Sequence, residues 1–315
     1  MIAFLPKLYE DELLSSYLMR VYSRSAFIYP KHFLNEILDG KQRFNYLYQN
    51  RYKQEFIDLL DKQYGYENII NNHTLFGFDN LFGDNKCVSP TKCFLRYCPL
   101  CMKEMEEKHI QVLSQIRELH YCPIHMCEYL DSNICLDRSS NYLIRSINEF
   151  IVEDDIPIKQ VNSEDINVKL AQYVMDVLNT SKNVHNQVPI HKYLREHLPM
   201  EFFLSKTRSK INITKVKNAL DEFYADLIDY SFSIKQLERI VSNQSCNSFQ
   251  IILISYWLGI VPSDLVNRKS SKKESIEKQI VMLRKKGLSE RAVASKLQLS
   301  KTCVHKVLKS NKIWW

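Results

Sequence analysis

Apolar positions recur at three- and four-residue spacing along most of this chain, a period that predicts a mainly helical protein. Leu13, Leu14, Tyr17, Leu18, Val21 and Tyr22 follow the acidic run Glu10-Asp11-Glu12, with Arg20 and Arg24 at the far end. They read as an amphipathic helix whose charges match its dipole. Pro30 opens a second run carrying Phe33, Leu34, Ile37 and Leu38, stopped by Asp39-Gly40. Residues 41–95 are dense in aromatics, among them Phe44, Tyr46, Tyr52, Phe56, Phe76, Phe78 and Phe82. Rings at this density can stack on bases, but most are expected in the core. Beyond the acidic boundary Glu153-Asp154-Asp155-Ile156-Pro157, Ser163 is placed to cap a helix carrying Ile166, Leu170, Tyr173, Val174, Val177 and Leu178. Further helices are expected over 216–230 and, behind Ser233, over 234–241; the stretch Phe249 to Leu258 is the most apolar and should be buried.

The last segment has its own frame. After a polar, basic linker from Arg268 to Lys273, a helix over 274–286 puts Ile276, Ile280 and Leu283 inward and closes at Gly287. Val293, Ala294, Leu297, Leu299, Val304, Val307 and Leu308 then repeat the inward pattern of a helix-turn-helix over 289–297 and 300–309. Ala294 lets the two helices approach, Ser300 can cap the second, and Gln298 stands in the turn where glycine is usual. In such a unit the second helix enters the major groove, so Arg291, Lys301, Thr302, His305, Lys306 and Lys309 are the candidate DNA contacts. Charge supports this: residues 268–315 hold fourteen Lys or Arg against three Asp or Glu, a net +11, whereas the remainder is at −4. A polyanion partner for the tail follows, the plain alternative being a solvated lysine-rich face.

The sharpest chemistry lies in the cysteines. Cys98-Pro99-Leu100-Cys101 is followed after twenty residues by Cys122-Pro123-Ile124-His125. Two knuckles of this spacing aim four soft or borderline donors at one ion, and zinc is the ion such a set prefers. With all four positions taken by protein, the site reads as structural. Cys87, Cys93, Cys127 and Cys135 flank it; a second ion among them is conceivable, but their spacing argues against it. Cys246 and Cys303 are expected in the core.

Composition excludes other classes. No GxxxxGK[ST], GxGxxG, H-E-x-x-H, paired-carboxylate or DDE-like constellation is found, so no enzyme is expected. The longest apolar stretch is too short for a bilayer, and nine cysteines in a metal-type arrangement without a signal-like N-terminus fit a reducing cytosol.

Several of these residues together resemble the TniQ/TnsD family, the target-selection proteins of transposons with a multi-subunit transposase. Pro6 with Glu12-Leu13-Leu14-Ser15-Ser16 and Arg20 resembles its N-terminal signature. His73-Thr74-Leu75-Phe76 and the block from Ser248-Phe249 to Leu258-Gly259 resemble segments of the TnsD branch, and Arg96-Tyr97 with the two knuckles is similar to its first zinc finger. Of a second finger only Cys135 stands near the expected place. The resemblance implies an adaptor without catalysis that recognises a site on double-stranded DNA, alone or through a CRISPR effector, and recruits an AAA+ ATPase and transposase. It also implies that the cytosol is a prokaryotic one, with the protein near the nucleoid. A sequence-specific transcription regulator is the alternative that the DNA-type features would serve equally.

The expected architecture is therefore mainly α, with helical domains around a zinc-finger segment and a C-terminal helix-turn-helix. Four parts are expected: a TniQ-like region over 1–95, the zinc segment over 96–150, a helical domain over 151–267 and the basic unit over 268–315. The end at Trp314-Trp315 would suit a short member or a truncated longer form.

Overall fold

The structure, a computed structural model, describes residues 5–40, 44–48, 50–79, 81–82, 94–136, 144–150, 157–180, 188–205, 210–242, 244, 247–268, 280–281, 283–284, 288–297 and 299–310. It is mainly helical and divides into two compact units, one of Met1–Ser181 with His197–Val266, the other of Lys182–Glu196 with Asn267–Trp315. No helix among the described residues is long and apolar enough to cross a membrane.

The first unit begins with α1 (Leu14–Ser23), in which every residue from Leu14 to Tyr22 is buried. It is a central helix rather than an amphipathic surface one, and the reason is electrostatic. Glu12 lies outside α1, not in its first turn, and is fully buried; the Arg20 guanidinium donates to it through Nη1 at 2.6 Å. Neutralised inside the fold, the pair lets the polar side of α1 go inward. Arg20 also donates to Glu107, through Nε at 2.9 Å and Nη2 at 2.7 Å, and Arg24 reaches the same carboxylate. The backbone closes the clasp: Leu13 N–H bonds Ile110 O at 2.7 Å, Val112 N–H bonds Asp11 O at 2.9 Å, and Ile110 N–H bonds Ser16 Oγ at 2.8 Å. Residues 9–24 are thus tied to the segment just before the second knuckle.

His109 belongs to the same clasp. Its Nε2 faces Asp11 Oδ1 at 3.0 Å, its Nδ1 faces Glu107 O at 3.0 Å, and its ring stacks on Tyr9 at 4.4 Å. Burial pushes the imidazole down, but the bonds to Asp11 and Glu107 outweigh it and hold the pKa above its ordinary value. An imidazole of that kind stabilises the fold fully below its unfolded pKa, and this contribution is lost as pH rises through the raised folded pKa. We therefore expect the urea midpoint to fall as the pH rises above about 6.5, the ordinary imidazole value, and a His109→Gln variant to show a flatter profile there.

Three helices follow, α2 (Pro30–Ile37), α3 (Gln54–Tyr64) and α4 (Tyr66–His73), and then the short α5 (Leu75–Asp79). Proline at the start of α2 and Gly40 at φ +68° past its end bound the second predicted run. Phe44, Tyr46, Tyr52, Phe56, Phe78 and Phe82 are buried, so these rings are core, while Phe76 is exposed. His73 donates from Nδ1 to Glu12 O at 2.7 Å, and burial lowers its pKa, consistent with a neutral ring. Where α5 crosses α4, Gly77 has no room for a side chain: a Cβ there would meet Asn71 O at 1.6 Å. Gly77→Ala is expected to force the two helices apart and destabilise the protein by several kcal/mol, of the order of an overpacked core at about 1–3 kcal/mol or more; thermal unfolding measures it.

The two strands, β1 (Phe94–Tyr97) and β2 (Leu130–Cys135), pair antiparallel with Tyr97 opposite Leu130 and Arg96 opposite Asp131. Between them α6 (Pro99–Glu104) and the loop to residue 129 carry the two knuckles. The rest of the unit packs α7 (Ile166–Asn179) and α9 (Ile213–Phe223) against α11 (Ser248–Trp257), with α10 (Ile234–Val241) beside α9 and α12 (Pro262–Val266) beside α7. The expected cap of α7 is corrected: Asp165, not Ser163, accepts from Asn167 N–H at 2.8 Å. Ser233 caps α10 as its position predicts, with Gln236 completing a capping box. The helix expected over 216–230 runs instead from Ile213 to Phe223, because Tyr224 turns inward and donates to Leu253 O at 2.6 Å. Phe249 and Ile251 to Ser255 are buried, and Ser248 Oγ donates to Asp79 O at 3.0 Å, joining α11 to α5.

The second unit contains Ile190–Glu196 of α8 (Ile190–His197), together with α13 (Glu290–Lys296) and α14 (Lys301–Ser310). Ile280, Leu283, Val293, Ala294, Val304 and Leu308 form one core, with Leu288, Leu297, Leu299 and Val307 packed against it. Ser289 caps α13 by accepting from Ala292 N–H. Arg268 is no solvated linker residue: it is buried and donates from Nε to Val188 O at 3.0 Å. The acidic boundary 153–156, the linker residues 269–273, the expected helix at 274–279, Gly287, Gln298, Cys246, the Cys303 side chain and the final tryptophans lie outside the described residues.

Candidate functional site

Cys98 ends β1 and caps α6, its sulfur accepting from Cys101 N–H at 3.3 Å. The Pro99 ring suits the first helical position, so the knuckle is both a helix start and a thiol pair. The second knuckle is a turn: Met126 N–H bonds Cys122 O and Cys122 N–H bonds Cys127 O, each at 2.8 Å, and Met126 takes φ 54° to reverse the chain.

The fold brings the four donors together. The sulfurs of Cys98, Cys101 and Cys122 and a nitrogen of His125 all lie within 4.8 Å of one another. His125 Nδ1 is 3.2 Å from Cys101 Sγ, 3.5 Å from Cys98 Sγ and 3.8 Å from Cys122 Sγ, and Cys101 is 3.7 Å from Cys122. A tetrahedral ion with bonds of about 2.3 Å to sulfur and about 2.0 Å to nitrogen has edges of roughly 3.4–3.8 Å. The donor set and its spacing therefore fit a zinc-type ion. The three cysteines are buried, and His125 stands at the rim with 13% of its side chain exposed.

Outer contacts orient the donors. His125 Nε2 faces Glu104 Oε2 at 3.0 Å, which puts the ring proton on Nε2 and leaves Nδ1 free to ligate. Behind the first knuckle, Arg96 is buried with Nη1 on Leu119 O at 2.8 Å and Nη2 on Ile116 O at 2.5 Å. Burial lowers its pKa to about 10, so it stays charged at neutral pH. Gln115 and Ser114 bond its backbone carbonyl at 2.7 and 2.9 Å. Arg96 thus fastens β1 to the loop that delivers the second knuckle. Glu104 and Arg96 were not predicted in these roles; the only local signal for Glu104 is its place on α6, three residues beyond Cys101.

Of the outer cysteines, Cys127 is fully buried with its sulfur 3.3 Å from Cys98 Sγ, and Cys135 sits in β2 opposite Phe94. Cys87 and Cys93 lie outside the described residues. Among the described residues a single group of three or more donors comes within ligating distance.

In the second unit, Arg291 lies exposed on α13, and Lys301, Thr302, His305, Lys306 and Lys309 lie exposed on α14, away from buried Val304 and Leu308. One neighbour was not foreseen: Glu290 Oε1 lies 3.2 Å from His305 Nδ1, setting a carboxylate beside the predicted contact face.

The protein is mainly helical, and its four clustered Cys and His donors, all supplied by the chain, are compatible with a structural metal site rather than one open to substrate. The TniQ family model matches residues 3–128, from the start of the clasp to just past the second knuckle. No curated protein matches the chain.

Proposed function

We propose that the protein is a zinc-stabilised, DNA-binding adaptor that selects the target site for transposition and recruits an AAA+ ATPase and a transposase, in the cytosol of its host and without catalysis of its own. The observation that carries this reading is the union, in one chain, of a match to the TniQ family model over residues 3–128 with a basic helix pair at the other end. The +11 of residues 268–315 against the −4 of the remainder supports a division of labour in which the tail meets phosphate and the body meets protein. The ATPase docks on residues 1–150 in this reading, and duplex DNA takes α14 in its major groove.

Competition titrations with the full chain at several salt concentrations test the DNA half. Lys306→Ala and Lys309→Ala should weaken all sequences alike, and each should reduce the slope of log affinity against log salt by about 0.9. Thr302→Ala and His305→Ala should instead change the preference among sites, His305→Ala also releasing Glu290. Unchanged affinity after all four substitutions would remove α14 from the interface. Co-purification with the ATPase encoded beside the gene, with and without DNA, tests the recruiting half; capture only in the presence of DNA would place docking outside residues 1–150.

A further inference from the structure

We propose that Cys127 is a reserve ligand of the Cys98, Cys101, Cys122 and His125 centre, able to close the tetrahedron with a fourth thiolate when His125 leaves it. The inference rests on the reading of that cluster as a metal centre. The chain supplies five soft or borderline donors there, and a structural zinc takes four. Cys127 is fully buried with its sulfur 3.3 Å from Cys98 Sγ, closer than the 3.7 Å between the sulfurs of Cys101 and Cys122. This position is built by the fold: the reversal at Met126 and the Cys122 N–H to Cys127 O bond bring Cys127 back beside the knuckle that begins at Cys122. Val161 N–H on Met126 O and Glu128 N–H on Lys159 O, at 2.9 and 3.0 Å, then hold that backbone from the other side.

The remaining donor is the weak point of the four. His125 is the exposed member, and it is oriented by Glu104, itself 70% exposed. With the ion bound, loss of the imidazole would free one coordination position, and Cys127 would fill it as a thiolate, its S–H proton passing to solvent. No electron is transferred. The centre would gain one negative charge.

Wild type, Cys127→Ser, His125→Ala and the double variant His125→Ala with Cys127→Ser are compared by metal analysis and, after exchange, by the absorption spectrum of the cobalt(II) form. Wild type and Cys127→Ser should hold about one zinc per chain with the spectrum of three sulfurs and one nitrogen. His125→Ala should keep its zinc, and its cobalt bands should move to longer wavelength with the stronger thiolate charge transfer of four sulfurs. The double variant should lose the metal. A His125→Ala protein as empty as the double variant, or a double variant that holds zinc as well as His125→Ala, overturns the proposal. Should the double variant not fold, the cobalt spectrum of His125→Ala decides, a set of three sulfurs and water being the overturning result. Zinc missing from the wild type defeats the metal-centre reading itself and this inference with it.

Discussion

Cys98→Ser combined with Cys127→Ser is expected to strip the centre of its ion and to melt the segment around it, residues 94–136, because it removes both the ligand and the thiol beside it. Cys98 sits at the junction of β1 and α6, accepts from Cys101 N–H, and lies against His125 and Cys127, so its sulfur belongs to both the cluster and the helix start. Structural zinc in small modules contributes about 10–16 kcal/mol of apparent binding free energy, which becomes folding free energy where the site does not pre-exist in the unfolded chain. Much of that would be missing here. Metal analysis together with amide exchange over residues 94–136 measures both halves of the expectation. Full protection of those residues in a metal-free protein would show that the hydrophobic core, with Arg96 and Gln115, suffices.

Arg20→Ala is expected to be nearly as damaging, at about 3–5 kcal/mol, because it leaves a carboxylate buried without its cation. Glu12 is fully buried and the Arg20 side chain almost so. Glu107, 28% exposed, retains water and Arg24. The carboxyl of Glu12 already titrates above its usual range, since burial outweighs the pull of Arg20; without the guanidinium it would be driven further up, and the variant should regain stability as the pH falls toward its protonation. A paired change of Glu12→Gln with Arg20→Met should cost much less than Arg20→Ala alone, since both charges leave together. Denaturant midpoints of the two variants across pH decide it. Equal losses would mean that Arg20 acts chiefly through Glu107 and through the Lys7 carbonyl, to which its Nη1 and Nη2 donate at 3.2 and 3.1 Å.

How far the sequence reaches can be judged from particular residues. The two knuckles, α2 between Pro30 and Gly40, the Ser233 cap of α10, the burial of α11 and the inward frame of α13 and α14 are all legible along the chain. α1 was legible as a helix but not as a buried one, because its environment is decided by Glu107 and by Ile110, roughly ninety residues away. The cap of α7 moved from Ser163 to Asp165 because Asp165 N–H turns back onto Asn162 O and the helix starts only after that turn. Arg268 reads as linker by composition and is buried against Val188.

By itself the sequence determined the features that repeat within one or two turns of chain: helical period, caps, the two-residue gap of each knuckle, and the charge of the tail. These depend on the backbone's own geometry, which is the same wherever the segment finally lies. The tertiary structure alone decided which side chains meet across long loops. It set Glu12 and Arg20 inside, Glu104 behind His125, Cys127 against Cys98 and Glu290 beside His305. Such pairs are chosen by the topology that closes the loops and by the removal of water around them, and no local spacing encodes either.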